Sequence, residues 1–136
     1  MELGIIASLL FTAGYFREDS KNRRATNLLA MEQRHRSLWG EAQQRKDLKR
    51  IFSRETVVVE QSISPAENLF IRRVILHFET GWRLERIMNQ GDLEMLSQDA
   101  CELFSLPLPR AVWEKTKDFR NRQFVRFVEK ALPRPR

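Results

Sequence analysis

Apolar residues recur at steps of three and four along most of this chain, which is the spacing of one face of an α-helix. Residues 17–44 show the first such series and contain Gly40 as their one glycine, with no proline. Their apolar seam is Ala25, Leu28, Met31, His35, Leu38 and Ala42. We therefore predict one long helix here, continuous with the residues before it and with His35 in the core.

A short patch and a β-branched run follow this helix. Residues 46–52 read KDLKRIF, and their apolar residues are Leu48, Ile51 and Phe52. We predict one or two helical turns that cover the bundle. Thr56–Val59 is the one run of β-branched residues, and because no partner strand is in sight we predict an extended connector.

The clearest helix start is Ser64-Pro65-Ala66-Glu67. Ser64 can accept a hydrogen bond as the N-cap, Pro65 suits the first helical position, and Glu67 stands where a capping box needs it. The helix should run to about Met88 as the central helix of the bundle. Its predicted inner face is Ala66, Leu69, Phe70, Val74, His77, Gly81, Leu84 and Met88.

Three shorter helices are predicted after it. Gly91 ends the central helix and Asp92 caps a helix at 93–104, after which the run Ser105–Pro109 breaks the chain. Pro109 then opens a helix, and Asn121 caps the last one. The predicted inner positions are Leu93, Leu96, Ala100, Leu103 and Phe104; then Val112, Trp113, Thr116 and Phe119; then Phe124, Phe127, Val128, Ala131 and Leu132.

The N-terminus is the most apolar stretch. Leu3–Phe16 contains fourteen residues without a charge. As a helix it would be about 21 Å long, against roughly 30 Å of bilayer hydrocarbon, so a span would depend on snorkelling by Arg17 and on local thinning. A cleaved signal peptide lacks support because no basic residue precedes the stretch. A buried core helix is the other alternative, but the stretch is apolar on all faces, which favours a membrane anchor.

Size and composition agree with this organisation. The chain has 136 residues with five glycines and five prolines, and its one cysteine, Cys101, suits a reducing compartment. We predict an all-α protein in which a short N-terminal membrane helix continues into a small cytoplasmic helical bundle of about five helices. The predicted domains are the anchor at 1–16, the bundle at 17–132 and a tail at 133–136.

The positive charge is concentrated next to the anchor. Residues 17–54 hold eleven Lys or Arg against five Asp or Glu, whereas residues 55–136 hold thirteen against twelve. Basic residues beside a membrane segment favour the cytoplasmic side and attract anionic lipid headgroups. The residues predicted to bind headgroups or a partner are Arg17, Lys21, Arg23, Arg24, Arg34 and Arg36.

No residue pattern indicates an enzyme. The two histidines, His35 and His77, lack metal-ligand spacing to each other or to Cys101, so core positions are the favoured interpretation and no metal or cofactor is predicted. Cys101 is interpreted as a small buried side chain. Phosphate-loop, dinucleotide and nucleophile-elbow motifs are absent. The tryptophans Trp39, Trp82 and Trp113 are expected to pack together in the core.

Three stretches carry a family resemblance: RATNLLAMEQRHRSLW, SPAENLFIRRVILHFETGWRLERIMNQGDL and ELFSLPLPRAVWEKTKDFRNRQFVRFVE. Together they resemble a group of uncharacterised bacterial proteins with an N-terminal membrane anchor and a helical domain of unknown function. The likeness covers roughly residues 20–130. It implies a helical fold and a membrane setting, and no catalytic residue.

The sequence favours a non-enzymatic, membrane-anchored accessory or adaptor subunit that docks on a larger membrane protein complex. One alternative is a basic nucleic-acid-binding module, in which Arg34, Arg36, Arg45 and Lys49 would contact phosphates. Buried positions expected for Trp39 and Phe52 argue against it. The other alternative is a membrane-tethered signalling or defence effector with His35 and His77 lining a ligand pocket.

Overall fold

The computed structural model describes the backbone of residues 2–55, 62–88 and 93–133, and the side chains of residues 19, 21–55, 62–87 and 93–133. No strand occurs in these ranges, so the predicted all-α class is confirmed. The elements are α1 (Glu2–Gln44), a first 3₁₀ helix (Lys46–Phe52), α2 (Pro65–Met88), α3 (Leu93–Phe104), α4 (Pro107–Thr116), a second 3₁₀ helix (Lys117–Phe119) and α5 (Arg122–Ala131).

Several predictions fall outside the described residues. They concern the connector at Thr56–Val59, the helix end at Gly91, the cap at Asp92 and the tail after Pro133. The side chains of Leu3–Phe16 are also outside them, although their backbone is helical. Across the described residues, no helix has the length and hydropathy that a membrane crossing requires.

Two compact units divide the chain, and the division falls within α1. The first unit is Met1–His35 and the second is Arg36–Arg136. The first unit consists of the helical residues of α1 up to His35. The second unit contains the last turns of α1 and all the other helices, so the buried core belongs to it.

Aromatic rings connect the helices of the second unit. Phe104 on α3 lies 5.0 Å from Trp113 on α4, and Trp113 meets Phe124 on α5 edge-on at 5.9 Å between ring centroids. Trp82 on α2 contacts Phe124 at 5.6 Å. Because these rings come from four helices, they fix how α2, α3, α4 and α5 pack. The buried Trp113 indole donates a hydrogen bond to Glu129 at 3.0 Å.

Capping bonds confirm two predicted helix starts. The Glu67 amide donates to the Ser64 hydroxyl at 3.1 Å, and the Ser64 amide donates to the Glu67 carboxylate at 2.9 Å, which is a complete capping box. Asn121 caps α5 by accepting hydrogen bonds from the amides of Gln123 and Phe124. These donors would otherwise be unsatisfied in the first turn of each helix.

Glu67 also joins α2 to the first 3₁₀ helix. Arg50 donates to both of its carboxylate oxygens, at 2.6 and 2.7 Å, and to the Ser62 carbonyl. The Glu67 side chain is 2% exposed and that of Arg50 is 28% exposed. The predicted apolar patch of this 3₁₀ helix is confirmed, since Leu48 and Ile51 are buried.

The predicted inner face of α2 was wrong in part. Leu69, placed inside, is 62% exposed, and Leu76 is 57% exposed. The buried side chains of α2 are Glu67, Phe70, Ile71, Val74, Ile75, Glu79 and Trp82. The helix carries apolar residues on neighbouring faces, so apolar spacing alone left its rotation open. Its packing against α3 and α4 sets the rotation.

The region around α4 differs from the prediction at both ends. The helix begins at Pro107 instead of Pro109, because both prolines fit within a first turn whose amides have no helical acceptor. Phe119, predicted to point inward, is 89% exposed. The α-helix ends at Thr116, and the following 3₁₀ turn changes the angle per residue, so the spacing that placed Phe119 inside no longer applies.

Predictions for α3 and α5 are confirmed more fully. On α3, Ala100, Leu103 and Phe104 are buried, and on α5, Phe124 and Val128 are buried. The remaining predicted positions, Leu93, Leu96, Phe127 and Ala131, are half-buried, and Leu132 is buried just after α5. These two helices each carry one apolar face, so their rotation was fixed by their sequence pattern.

Four side chains of α1 were assigned wrongly, and the first of them is Ala25, which was expected on the buried seam and is exposed. His35 and Leu28, expected on a buried seam, are exposed, and Trp39 is 38% exposed instead of packing with the other tryptophans. Trp39 stacks on Phe52, with ring centroids 5.1 Å apart. Of the seam residues, only Ala42 is buried, and it belongs to the second unit.

Candidate functional site: the basic residues of α1 and an arginine-lined cleft

The predicted headgroup-binding residues all lie on α1. Lys21, Arg23, Arg24, Arg34 and Arg36 are exposed, and the side chain of Arg17 is outside the described residues. Arg23 pairs with Asp19 at 3.0 Å across one helical turn. Such an exposed pair contributes roughly 0–1 kcal/mol and leaves both groups accessible to a ligand.

The apolar seam runs along the same helix. Every side chain from 21 to 30 is exposed, including Leu28 at 44% and Leu29 at 61%. Met31 and Leu38 are half-buried and Ala42 is buried, so exposure decreases toward the end of α1. Leu28, which belongs to the seam, and its neighbour Leu29 are therefore large apolar side chains exposed to solvent.

Part of the basic segment is neutralised within the chain. Arg45 contacts Glu41 at 3.0 Å and Asp47 at 2.7 Å, and Glu41 also pairs with Arg73 at 2.9 Å. Hydrogen bonds from Arg45, and then from Arg73, lower the pKa of Glu41. Arg45 was one of the phosphate contacts expected for a nucleic-acid-binding module, and these carboxylates reduce its availability.

The structure shows no site formed by the two histidines and the cysteine among the residues that it describes. His35 is exposed, His77 is half-buried on α2, and Cys101 is half-buried on α3. Within the described parts of the chain, no group of three or more His, Cys, Asp or Glu side chains is arranged to hold a metal ion.

A cleft between α2 and the connection from α4 to α5 was not anticipated from the sequence. Its volume is about 360 Å³, within the range of small-molecule sites. Its lining residues are Arg72, Glu79, Arg83, Thr116, Phe119, Arg120 and Asn121. The three residues from α2 share one face because they lie seven and four positions apart.

The cleft holds more positive than negative charge. Glu79 is the one carboxylate in its lining, and it accepts a hydrogen bond from Arg83 at 3.2 Å. Arg120 lies 3.6 Å from the other oxygen of Glu79. Arg72 forms no ion pair with any residue that the structure describes. Three guanidinium groups and one carboxylate leave a formal excess of two positive charges.

Arg120 is the most enclosed of these cations. Its side chain is 13% exposed, and its buried Nε has no hydrogen-bond partner among the described atoms. Burial lowers the pKa of Arg120; nearby Glu79 acts in the opposite direction, and the positive charge of Arg72 lowers the pKa further. The guanidinium remains protonated at physiological pH, so its positive charge is only partly compensated.

One feature of the sequence pointed to the charged side of this cleft. Arg72, Glu79 and Arg83 lie on one face of a predicted helix, which marks a charged surface. Arg120 and Asn121 join them only because the second 3₁₀ helix turns the chain back toward α2. Spacing along the sequence could not reveal that approach.

Comparisons with protein-family models, with curated proteins and with solved structures found no match for this chain. The resemblance drawn from the sequence therefore stays a prediction. The function has to be argued from the exposed face of α1 and from the cleft.

Proposed function

We propose that this protein is a non-enzymatic, membrane-attached accessory or adaptor subunit that docks on a larger membrane protein complex. In this proposal Leu3–Phe16 inserts into the bilayer, and the basic residues after it contact anionic headgroups on the cytoplasmic side. The helical bundle then presents its surface to the partner. The resemblance to membrane-anchored bacterial proteins of unknown function agrees with this assignment.

The observation that carries the proposal is a pair of exposed leucines on α1, Leu28 of the apolar seam and its neighbour Leu29. Leu28 and Leu29 are exposed beside Arg23, Arg24 and Arg34 on the same helix. Burial of an exposed leucine by a partner contributes roughly 1.5–3 kcal/mol. A partner helix from the membrane complex, with apolar residues for the seam and acidic residues for the arginines, is the occupant that we propose.

The charges of the same segment support attachment to lipid. A basic residue near an anionic membrane surface contributes about 1 kcal/mol of attraction. Arg17, Lys21, Arg23 and Arg24 follow the uncharged Leu3–Phe16 directly. Together they should add about 4 kcal/mol to the insertion energy of the apolar stretch, which suits a segment that is short for a span.

Vesicle flotation tests the lipid contact. The variant R17E/K21E/R23E/R24E should bind vesicles containing phosphatidylglycerol at least about a thousandfold more weakly than the natural protein, since about 4 kcal/mol of attraction is lost and the four glutamates are repelled by the anionic surface. The matched control K46E/K49E/R126E/K130E makes the same charge change at exposed positions of the second unit. Its binding should fall much less. Equal losses in the two variants would show that net charge, and not the α1 segment, governs binding.

Extraction of the tagged protein in mild detergent tests the docking. We expect size-exclusion chromatography and mass spectrometry to find it in a stoichiometric complex with a membrane protein. L28D/L29D should release the protein from that complex, whereas L69D should leave the complex intact, because Leu69 is as exposed as Leu29 but lies on α2. Recovery of the natural protein in the soluble fraction, or with nucleic acid, would contradict the proposal.

A further inference from the structure

The cleft between α2 and the α4–α5 connection has the charge of an anion site. Arg72, Arg83 and Arg120 line it together with a single carboxylate, Glu79. Arg120 is enclosed, with 13% of its side chain exposed, whereas Arg72 and Arg83 are exposed at the mouth of the cleft. An enclosed charge is normally paired, because removing an ion from water costs several kcal/mol. Glu79 can compensate one of the three guanidinium groups, and the described residues provide no second carboxylate in the lining.

The hydrogen-bond donors of the cleft are incompletely used. Arg120 Nε is buried without an acceptor, and the ion pair from Arg120 to Glu79 is long at 3.6 Å. Arg72 has no acidic partner among the residues that the structure describes. An anion with several oxygens would accept hydrogen bonds from the terminal nitrogens of these guanidinium groups and balance the excess charge at the same time.

The chemistry of guanidinium groups selects the class of anion. Planar guanidinium groups bind phosphate oxygens with paired hydrogen bonds. A phosphate monoester carries a charge of about −2 at neutral pH, which matches the formal excess of two positive charges. At about 360 Å³ the cleft also has room for part of the organic group, and the exposed ring of Phe119 lies at its edge.

We propose that this cleft binds the dianion of a phosphate monoester through Arg72, Arg83 and Arg120. Glu79 holds Arg83 and Arg120 in position by its contacts at 3.2 and 3.6 Å. The phosphate could belong to a soluble phosphomonoester or to the headgroup of a lipid such as phosphatidic acid. This site does not depend on the membrane attachment proposed for α1.

Titration calorimetry with the full-length protein tests the site with phenyl phosphate and inorganic phosphate as soluble probes. Arg72→Gln should weaken phenyl phosphate binding tenfold or more, because it removes a charged donor from an exposed position that folding does not require. Arg126→Gln is the matched control, since Arg126 is exposed on α5 outside the cleft. Arg120→Lys, checked for folding by circular dichroism, should also weaken binding because lysine lacks the planar fork.

Vesicles distinguish the two sources of phosphate. Phosphatidylcholine vesicles containing phosphatidic acid present a monoester, and those containing phosphatidylglycerol present a diester. An Arg72-dependent preference for the monoester vesicles, without binding of phenyl phosphate, would assign the lipid source. Binding of phenyl phosphate that Arg72→Gln weakens would assign the soluble source. Either result supports the site.

Two outcomes would overturn the proposed phosphate site. One is that no probe binds the natural protein saturably, and the other is that Arg72→Gln and Arg126→Gln lose equal affinity.

A pH series tests the charge of the ligand, since the second phosphate pKa is about 6. Affinity for phenyl phosphate should rise about tenfold from pH 5 to pH 7, and a flat profile would contradict a dianion.

Discussion

The carboxylate of Glu67 accepts three hydrogen bonds from two residues, which makes it the most informative single residue for stability. It caps α2 through the Ser64 amide and binds Arg50 through both oxygens, while its side chain is almost fully buried. Glu67→Gln keeps an acceptor for the capping bond but removes the ion pair. We expect a loss of about 1.5–3 kcal/mol at pH 7, because charge-assisted hydrogen bonds to an almost fully buried carboxylate are replaced by bonds to a neutral amide.

Urea unfolding followed by circular dichroism measures this loss. Glu114→Gln is the control, because Glu114 forms exposed ion pairs with Arg110 and Lys117 on the surface of α4. Its cost should stay below about 1 kcal/mol. Similar costs for the two variants would show that the burial of Glu67 does not strengthen its ion pair.

The same residue makes a prediction about pH. Hydrogen bonds from Arg50, and then from Ser64, lower the pKa of Glu67 below its ordinary value of 4.5, against the opposing effect of burial. The stabilisation is therefore fully present above that value and is lost as the pH falls through the lower pKa of the folded protein. The difference in unfolding free energy between the natural protein and Glu67→Gln should shrink from pH 7 to pH 3. A difference that is constant over this range would contradict the ion-pair explanation.

At the scale of elements, the position at which α4 ends determines that Phe124 lies in the core and Phe119 on the surface. Phe124 is fully buried among Trp82 and Trp113, whereas Phe119 is 89% exposed after the second 3₁₀ helix. Phe124→Ala should cost about 3–5 kcal/mol, because it leaves a cavity between helices. Phe119→Ala should change the unfolding free energy by less than about 0.5 kcal/mol. Thermal and urea unfolding of the two variants compare identical substitutions five positions apart, and a large cost for Phe119→Ala would mean that the α-helix continues beyond Thr116.

At the scale of the whole molecule, the two compact units should differ in protection. The side chains of residues 21–30 are all exposed, while α5 contributes Phe124 and Val128 to the core. Helical amides without tertiary cover exchange by local opening, whereas core amides require global unfolding. Hydrogen exchange measured by mass spectrometry should therefore be several orders of magnitude faster at 21–30 than in α5.

The same hydrogen-exchange measurement in the presence of vesicles containing phosphatidylglycerol tests the lipid contact proposed for α1. If α1 lies against lipid headgroups, these vesicles should slow amide exchange at residues 17–30 and leave the exchange rates of α5 unchanged. Neutral phosphatidylcholine vesicles are the control. Protection in α5 without protection at 17–30 would contradict the role proposed for α1.

The sequence by itself determined the helical class, both capping motifs and the inner faces of α3 and α5. Capping depends on residues within one turn, and a helix with a single apolar face has one way to pack. The pairing of Ser64 with Glu67 and the cap at Asn121 are local in this sense. These predictions needed no knowledge of distant contacts.

Only the tertiary structure decided the rotation of α2, the exposure of Phe119 and the arginine cleft. On α2, apolar residues such as Leu69 and Ile71 point to nearly opposite sides of the helix, so the choice between faces depended on which neighbours were available to cover them. The cleft depended on Arg120 meeting Glu79 across forty-one positions of sequence. Local propensity carries no information about such a contact, because it arises from the packing of α2 against the chain that follows α4.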